Sequence, residues 1–177
     1  MTRLIFLKNH FHVSHPHPFL DLLKKYPGVY KYANKGLKYI PKEELFLTRL
    51  CYHEPVKDWT ARQVLSSIFE KKNPIEEIQI VHSPKDDPVA ALAKMNSNET
   101  YYRNWYMLSY AGLPFSALCT LLPGPNVFLL YNLFRLYSYK HSTDGIRLLK
   151  NAKFIYNKDD LLEAGTFEEI SKKYDIE

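Results

Sequence analysis

The sequence predicts an α+β fold that is mostly helical, with a small strand-containing N-terminal part followed by a helical part. Period-two alternation of apolar residues is confined to the region before residue 84, and long apolar runs follow it. At 177 residues and 46% hydrophobic composition, the chain can form one domain with a sizeable core. We therefore distinguish residues 1–84 and 85–177 as parts of one integrated domain. The second part contains an apolar hairpin at 104–139 and a polar C-terminal tail.

The charge is positive and unevenly distributed. Lys and Arg number 24 against 19 Asp and Glu, which gives a net charge of +5. Before residue 43 the only acid is Asp21, whereas the balance turns acidic after residue 152. A basic, tyrosine-rich front can meet phosphate in lipid or nucleic acid, or it can be an ordinary solvated face. We expect no nucleic acid partner.

The two cysteines and the N-terminus indicate the compartment. Cys51 and Cys119 form no CxxC pair, so free thiols in a reducing compartment are expected. The apolar core before His10 and His12 is too short for a secretory signal. Its basic, acid-poor character fits a mitochondrial address loosely.

The first elements are short. Residues 4–7 predict a strand, and alternation then places His10 and His12 on one strand face, as in a transition-metal pair. No neighbouring Cys or acid completes a ligand set, so no metal is expected. Residues 19–26 predict an amphipathic helical turn that ends at Pro27 and Gly28.

A β-hairpin is predicted next. Residues 29–33 and 37–40 both alternate with period two, and the connection 34–36 contains a glycine. A helix at 43–51 follows.

The clearest helix is predicted at 58–72, with a capping box and an apolar stripe. Thr60 and Gln63 form the box, and the stripe consists of Val64, Leu65 and Ile68. A strand is then predicted over 78–82.

Two helices lead into the apolar region. Asp87 followed by Pro88 is typical of a helix start, here for an Ala-rich helix at 89–95. A second helix is predicted from Glu99.

Residues 104–134 organise the chain, because they contain no Asp, Glu, Lys, Arg or His. A membrane-spanning helix needs roughly 20 apolar residues, but this run is broken at Pro114 and again at the turn Pro123, Gly124 and Pro125. It therefore fits a membrane hairpin with both ends on one side, a single kinked span, or the buried hairpin of a soluble core. Aromatic residues near its ends are typical of interfacial anchoring.

The remaining chain is predicted to be helical near 146–151. Thr166 and Glu169 form a second capping-box pair that opens a last helix through residue 173.

Motifs for common enzyme chemistry are absent from the sequence. It contains no GxxxxGK[ST], GxGxxG, GxSxG or HExxH. The pairs at 86–87 and 159–160 are adjacent acids, which do not face each other on a helix. We therefore expect neither an enzyme nor a cofactor.

Residues 113–149 resemble the signature of the mitochondrial K+–H+ exchange-related family. In that family an apolar, Pro-rich run leads to a Pro-Asn pair, an aromatic helix ending in Arg-x-Tyr-Ser, and a small helix. The matching residues are Pro114, Pro123, Pro125, Asn126, Phe128, Tyr131, Arg135, Tyr137 and Ser138. The resemblance implies an inner-mitochondrial-membrane protein that supports electroneutral K+/H+ exchange and volume control, with binding residues at Asn126, Tyr131, Arg135, Tyr137 and Ser138.

The charge-free run argues against a lone exchanger. Proton-coupled transport usually needs an ionisable group within the membrane, and one hairpin cannot enclose a path with two gates. We therefore expect an accessory or regulatory subunit, or a homo-oligomer lined by Asn126, Tyr131 and Arg135. Its expected partners are inner-membrane lipids, with anionic lipids as one option, and membrane protein subunits or further copies of the chain. The alternatives are a soluble α+β interaction module and a peripheral protein that binds anionic lipid.

Two residues receive specific roles. Asn126 is expected to cap the second helix of the hairpin. Arg135, one residue past the charge-free run, is either an anchor that snorkels to lipid phosphate or the binding site for a partner's carboxylate.

Overall fold

A computed structural model describes residues 2–7, 9–13, 18–28, 30–31, 39–52, 60–119, 127–159, 162, 169–170 and 172. Four strands form one sheet in the order β2-β1-β3-β4. The strands are β1 (Thr2–Leu7), β2 (His10–His12), β3 (Glu77–His82) and β4 (Lys153–Lys158). β1 pairs antiparallel with β2, while β1 with β3 and β3 with β4 are parallel. Asn9, between β1 and β2, has φ of 63°, a conformation that asparagine tolerates better than most residues.

Seven helices lie within the described ranges. They are α1 (Pro18–Lys24), α2 (Lys42–Leu50), α3 (Ala61–Ser66), α4 (Pro88–Ser97), α5 (Glu99–Ala111), α6 (Leu113–Leu118) and α7 (Val127–Asn151). α7 packs against both α2 and α5.

The sheet is buried on both faces. Leu4, Phe6, Ile78 and Ile80 contribute to the main core together with residues of the helices. Ile5, Leu7 and Val81 point to the other face, where they cluster with Leu162 and Ile170. Because neighbouring strand residues alternate between faces, the continuous apolar runs of β1 and β3 follow from this double burial.

The predicted fold class, α+β and mostly helical, is confirmed. β1 contains the apolar run 4–7 that was predicted to be a strand, and β3 contains the strand predicted from alternation over 78–82. Thr60 and Gln63 form the predicted capping box, and Asp87 accepts from the N–H groups of Val89 and Ala90.

Several local predictions were wrong. The N–H of Tyr30 donates to Tyr26 O at 2.9 Å, and residues 30–31 are helical, so the strand predicted over 29–33 does not form there. Five alternating residues are too few to separate a strand from a helical turn. Tyr39 and Ile40 lie in a turn and a bend, and the predicted hairpin loop at 34–36 lies outside the described residues.

Two helices differ in extent from the predicted ones. α3 ends at Ser66, well before residue 72, and Leu65 of its predicted apolar stripe is exposed. Residues 146–151 belong to the end of the 25-residue α7 and form no separate helix. β4 was not predicted, because most of its residues are exposed and show no clear alternation.

One close helix crossing fixes α7 on the core. Gly145 of α7 lies against the backbone of Leu47 in α2, where an added Cβ would come within 2.6 Å of Leu47 O. Only glycine permits this separation of the two helices.

Candidate functional site

The most distinctive feature is a helical projection that we call the apolar arm, formed by residues 104–118 of α5 and α6 and 127–134 of α7. α5 and α6 both pack against α7. Gly112 separates the first two helices, and Pro114 lies in the first turn of α6, where a missing N–H costs nothing. The predicted turn residues Pro123, Gly124 and Pro125, and the predicted cap Asn126, lie outside the described residues.

The outer surface of the apolar arm is hydrophobic on nearly all sides. Phe115 is 75% exposed, and Tyr131, one of the predicted binding residues, is 65% exposed. The other exposed large hydrophobic residues of the arm are Trp105, Met107, Leu108, Tyr110, Leu118, Phe128 and Leu130. Such a surface marks a site of contact with a protein, a ligand or a membrane.

Part of the inner surface of the apolar arm is small and polar, beside Tyr106 and Leu113, which pack against the main core. Asn132 Nδ2 donates to Ser109 O and to Ser116 Oγ, at 3.1 Å in both cases. Ser116 Oγ donates in turn to Leu113 O at 3.0 Å. Gly112 faces the same amide, since a Cβ added there would lie 3.5 Å from Asn132 Nδ2. Polar groups therefore hold the two sides of the arm together from within.

A buried ion pair lies at the base of the apolar arm. Arg135 Nη1 donates to Glu44 Oε1 at 2.9 Å, and Nη2 approaches Oε2 at 3.5 Å. Glu44, on α2, is only 1% exposed. The carboxylate that Arg135 binds therefore belongs to its own chain, and the guanidinium fork is occupied within the fold.

Two further side chains complete this ion pair. Ser138 Oγ donates to Glu44 Oε1. Tyr139 accepts from Arg135, and its ring lies under the guanidinium, with 4.1 Å between Arg135 Cζ and the ring centroid. Burial opposes the charge of Arg135, but the hydrogen bond with Tyr139 and the Glu44 carboxylate outweigh it, so the Arg135 pKa is raised. The guanidinium is therefore a permanent, fixed charge.

A second buried cluster lies on a different face of α7. His141 Nδ1 lies 2.8 Å from Tyr137 O, and Nε2 lies 2.6 Å from the Tyr52 hydroxyl, which also contacts Ser67 Oγ at 2.9 Å. Because a carbonyl can only accept, Nδ1 donates to Tyr137 O. Burial raises the pKa of Tyr52, which keeps its hydroxyl available as a donor. This cluster joins α7 to the ends of α2 and α3.

The structure places the predicted site residues in three different environments. Arg135 and Ser138 meet on Glu44, Tyr137 is buried beside His141, and Tyr131 lies on the exposed arm. They therefore do not line one pocket.

Sequence reasoning missed Glu44, Asn132 and Tyr139. One signal could have found Glu44. It lies three, four and seven residues before Leu47, Thr48 and Cys51, so this acid occupies the apolar face of its helix.

The described residues contain no candidate metal site. Within these ranges no three His, Cys, Asp or Glu side chains are grouped so that they could hold a metal ion. Cys51 and Cys119 are free thiols. Across the described part of the chain, no helix has both the length and the apolar character required to cross a membrane.

Comparisons with known proteins give one match. A family model described as mitochondrial K+–H+ exchange-related matches residues 24–152. That range includes α2, β3, the apolar arm and all of α7. No curated protein and no solved structure matches the chain.

Proposed function

The chain belongs to the mitochondrial K+–H+ exchange-related family, and from this premise we propose that it is an accessory or regulatory subunit supporting K+/H+ exchange at the inner membrane. Its role is to maintain organelle volume, and it is not an enzyme. The observation that carries this proposal is the apolar arm, a charge-free projection whose exposed side chains are almost all hydrophobic. Such a surface is suited to contact with lipid or with membrane protein subunits.

The distribution of charge favours an accessory role over transport by this chain alone. Residues 104–134 contain no Asp, Glu, Lys, Arg or His side chain that could shuttle a proton through the arm. Arg135, which directly follows this run, pairs with Glu44, and the two are held by Ser138 and Tyr139. Coupled transport needs a group that changes its charge or its partner during the cycle. Arg135 is permanently charged, and its partners Glu44 and Tyr139 lie within the fold.

The ion pair instead gives the arm a rigid attachment. Arg135 lies where α7 leaves the arm, and Glu44 belongs to the helix that packs on the same core as the sheet. A force on the arm is therefore transmitted to the folded body. This arrangement suits a subunit that presents one surface to the membrane and another to a regulator.

Mitochondrial swelling tests the proposal. In potassium acetate, acetic acid enters and releases a proton, so non-respiring mitochondria swell only if K+ exchanges for H+. We expect mitochondria without this chain to swell slowly, and an electroneutral K+/H+ ionophore to restore the rate. Swelling in ammonium acetate needs no exchanger and is the matched control. A normal rate in potassium acetate would contradict the proposal.

Reconstitution separates an accessory subunit from the exchanger. Purified chain in sealed vesicles should not by itself produce a K+-dependent proton flux. Such a flux would refute the accessory role while keeping the connection with exchange. Release of the tagged chain from mitochondrial membranes by alkaline carbonate would favour the soluble interaction module instead.

A further inference from the structure

We infer that the apolar arm inserts into a single leaflet of a lipid bilayer. Its base, where the chain enters and leaves the arm, stays on one side of the membrane. This inference deepens the membrane location in the proposed function by naming the occupant of the arm's surface and the topology of insertion. Bilayer hydrocarbon, and not a groove on another protein, is the occupant that the arm's surface fits.

The first argument is the inverted polarity of the arm. In a helical pair that folds in water, apolar side chains lie between the helices and polar ones face out. Here Ser109, Gly112, Ser116 and Asn132 lie between the helices, and most of the large hydrophobic side chains face out, while Tyr106 and Leu113 pack against the main core. Small residues and hydrogen-bonding amides at the contact are typical of helix pairs in membranes, because lipid leaves apolar side chains no reason to turn inward.

The second argument is that exposure surrounds the arm. On α5, Met107, Leu108 and Tyr110 are all exposed, although at 100° per residue they point in different directions. A protein docked on one face would cover some of these side chains and leave the others in water. A surrounding apolar solvent covers all of them.

The third argument is the gradient of side-chain chemistry from base to tip. Trp105 stacks on Tyr139 at the base, and Tyr110 lies about level with Asn132, as judged from the Ser109 contact. Beyond that level the exposed residues include Phe115, Leu118 and Phe128. Tryptophan and tyrosine prefer the interface, where their polar atoms reach water, while phenylalanine and leucine prefer hydrocarbon.

The fourth argument is length. In α7 the charge-free part, 127–134, rises about 12 Å before Arg135, at roughly 1.5 Å per residue. One leaflet of a bilayer provides about 15 Å of hydrocarbon, half of roughly 30 Å. The described part of the arm therefore extends through most of one leaflet while Arg135, Glu44 and the exposed Arg103 stay at the level of the headgroups.

Depth-dependent quenching of tryptophan fluorescence tests the topology. The probes are vesicles of phosphatidylcholine containing phosphatidylglycerol, with bromine placed either high or low on the acyl chains. In Trp59→Phe protein, Trp105 should be quenched more by the high bromines. In Trp59→Phe/Trp105→Phe/Leu118→Trp protein, the tip tryptophan should be quenched more by the low bromines.

Two substitutions by Glu, one on the arm and one outside it, test whether lipid covers the arm's surface. Phe115, on the arm, and Phe69, outside it, are 75% and 72% exposed, so neither substitution by Glu should impair folding. Phe115→Glu should weaken flotation with these vesicles at least about tenfold, because burial of a phenylalanine side chain is lost. Phe69→Glu should bind as the unmodified chain does. Equal binding of the two variants would overturn the inference.

Labelling of the native Cys119 separates one-leaflet insertion from spanning. Cys119 directly follows α6 at the tip of the arm. A membrane-impermeant maleimide trapped inside the vesicles should not label it, whereas labelling from the lumen would show that the arm crosses the bilayer. If binding to vesicles fails while mitochondria without the chain still lose K+-dependent swelling, this inference falls and the proposed function stands.

Discussion

Arg135 holds Glu44 through both terminal guanidinium nitrogens, Nη1 and Nη2, and the two residues are 91 positions apart in the chain. This contact joins the apolar arm, through α7, to α2 on the core. An arginine that follows an apolar run suggests an interfacial anchor or a site for another protein's carboxylate. In this fold it is instead the residue through which the arm is fixed to its own body.

Removal of the negative charge should strongly destabilise the fold. Glu44→Gln leaves the partly buried Arg135 without a counter-charge, so the free energy of unfolding should fall by about 3 kcal/mol. Urea denaturation of the purified chain measures this. Glu99→Gln is the matched control, because Glu99 pairs with the exposed Arg147 and Lys150 and should cost less than about 1 kcal/mol. Similar losses in both variants would contradict the special role of Glu44.

Removal of both charges should be milder than removal of one. In Glu44→Leu/Arg135→Met neither charge is buried alone, and apolar replacements of a buried ion pair are often nearly neutral. We expect the double variant to recover at least half of the stability lost in Glu44→Leu. A double-mutant cycle by urea denaturation gives the coupling energy, expected to be about 1–3 kcal/mol. Additive losses would show that the two residues act independently.

Local signals in the sequence predicted much of the fold. β1, β3 and the caps at Thr60 and Asp87 depend on residues close together in the chain, so their patterns are readable. β4 depends on pairing with β3, and its mostly exposed residues give no alternation to read. The position of such a strand is decided by tertiary structure.

The site was only half predictable for the same reason. Arg135 and Ser138 were identified from the family resemblance, but their common partner Glu44 lies on a helix far away in sequence. Asn132 was overlooked because an asparagine in an apolar run predicts no partner. Its role depends on Ser109 and Ser116, seven residues apart and therefore on one helix face, being packed opposite it.

The crossing of α2 and α7 should not tolerate a methyl group. In Gly145→Ala the new Cβ would lie 2.6 Å from Leu47 O, so the helices must separate, at about 1–3 kcal/mol. Thermal unfolding measures the loss. Gly112→Ala is the control, since its φ is −78° and its nearest neighbours are 3.5 Å away. That variant should be neutral or slightly stabilised, by up to about 1 kcal/mol. A Gly145→Ala protein of unchanged stability would show that α2 and α7 can separate enough for a methyl group without cost.

The two thiols should react very differently. Burial, assisted by the charge of Asp144, raises the pKa of Cys51, so its thiol stays protonated in the fold. At about pH 8, near the pKa of an ordinary thiol, a maleimide should label Cys119 and reach Cys51 only after unfolding. Mass spectrometry of digested protein measures this, with Cys119→Ser as the control that should remain unlabelled.

The raised pKa of Cys51 also sets a pH dependence of stability. A folded pKa above the unfolded value contributes stability that is complete below the unfolded pKa and is lost as the pH rises above it. The free energy of unfolding should therefore decline above about pH 8.5, where the unfolded thiol ionises. Cys51→Ser removes this titration, so its stability should decline less over the same range. Parallel declines in the two proteins would assign the effect to other groups.

The last prediction concerns Asn132, which closes the apolar arm from within. Asn132→Ala removes the donor to Ser109 O and Ser116 Oγ, so two hydrogen bonds between α7 and the opposite helices are lost. In water the variant should lose about 1–2 kcal/mol, since each such bond contributes roughly 0.5–1.5 kcal/mol. Amide hydrogen exchange should rise along α5 and α6 and stay unchanged in the sheet, because the damage is local. Asn104→Ala, at an exposed position on the same arm, is the matched control and should change neither. If Asn132→Ala leaves exchange in α5 and α6 unchanged, the packing of the arm does not depend on this amide. The close contact between the helices at Gly112 would then have to hold the arm together.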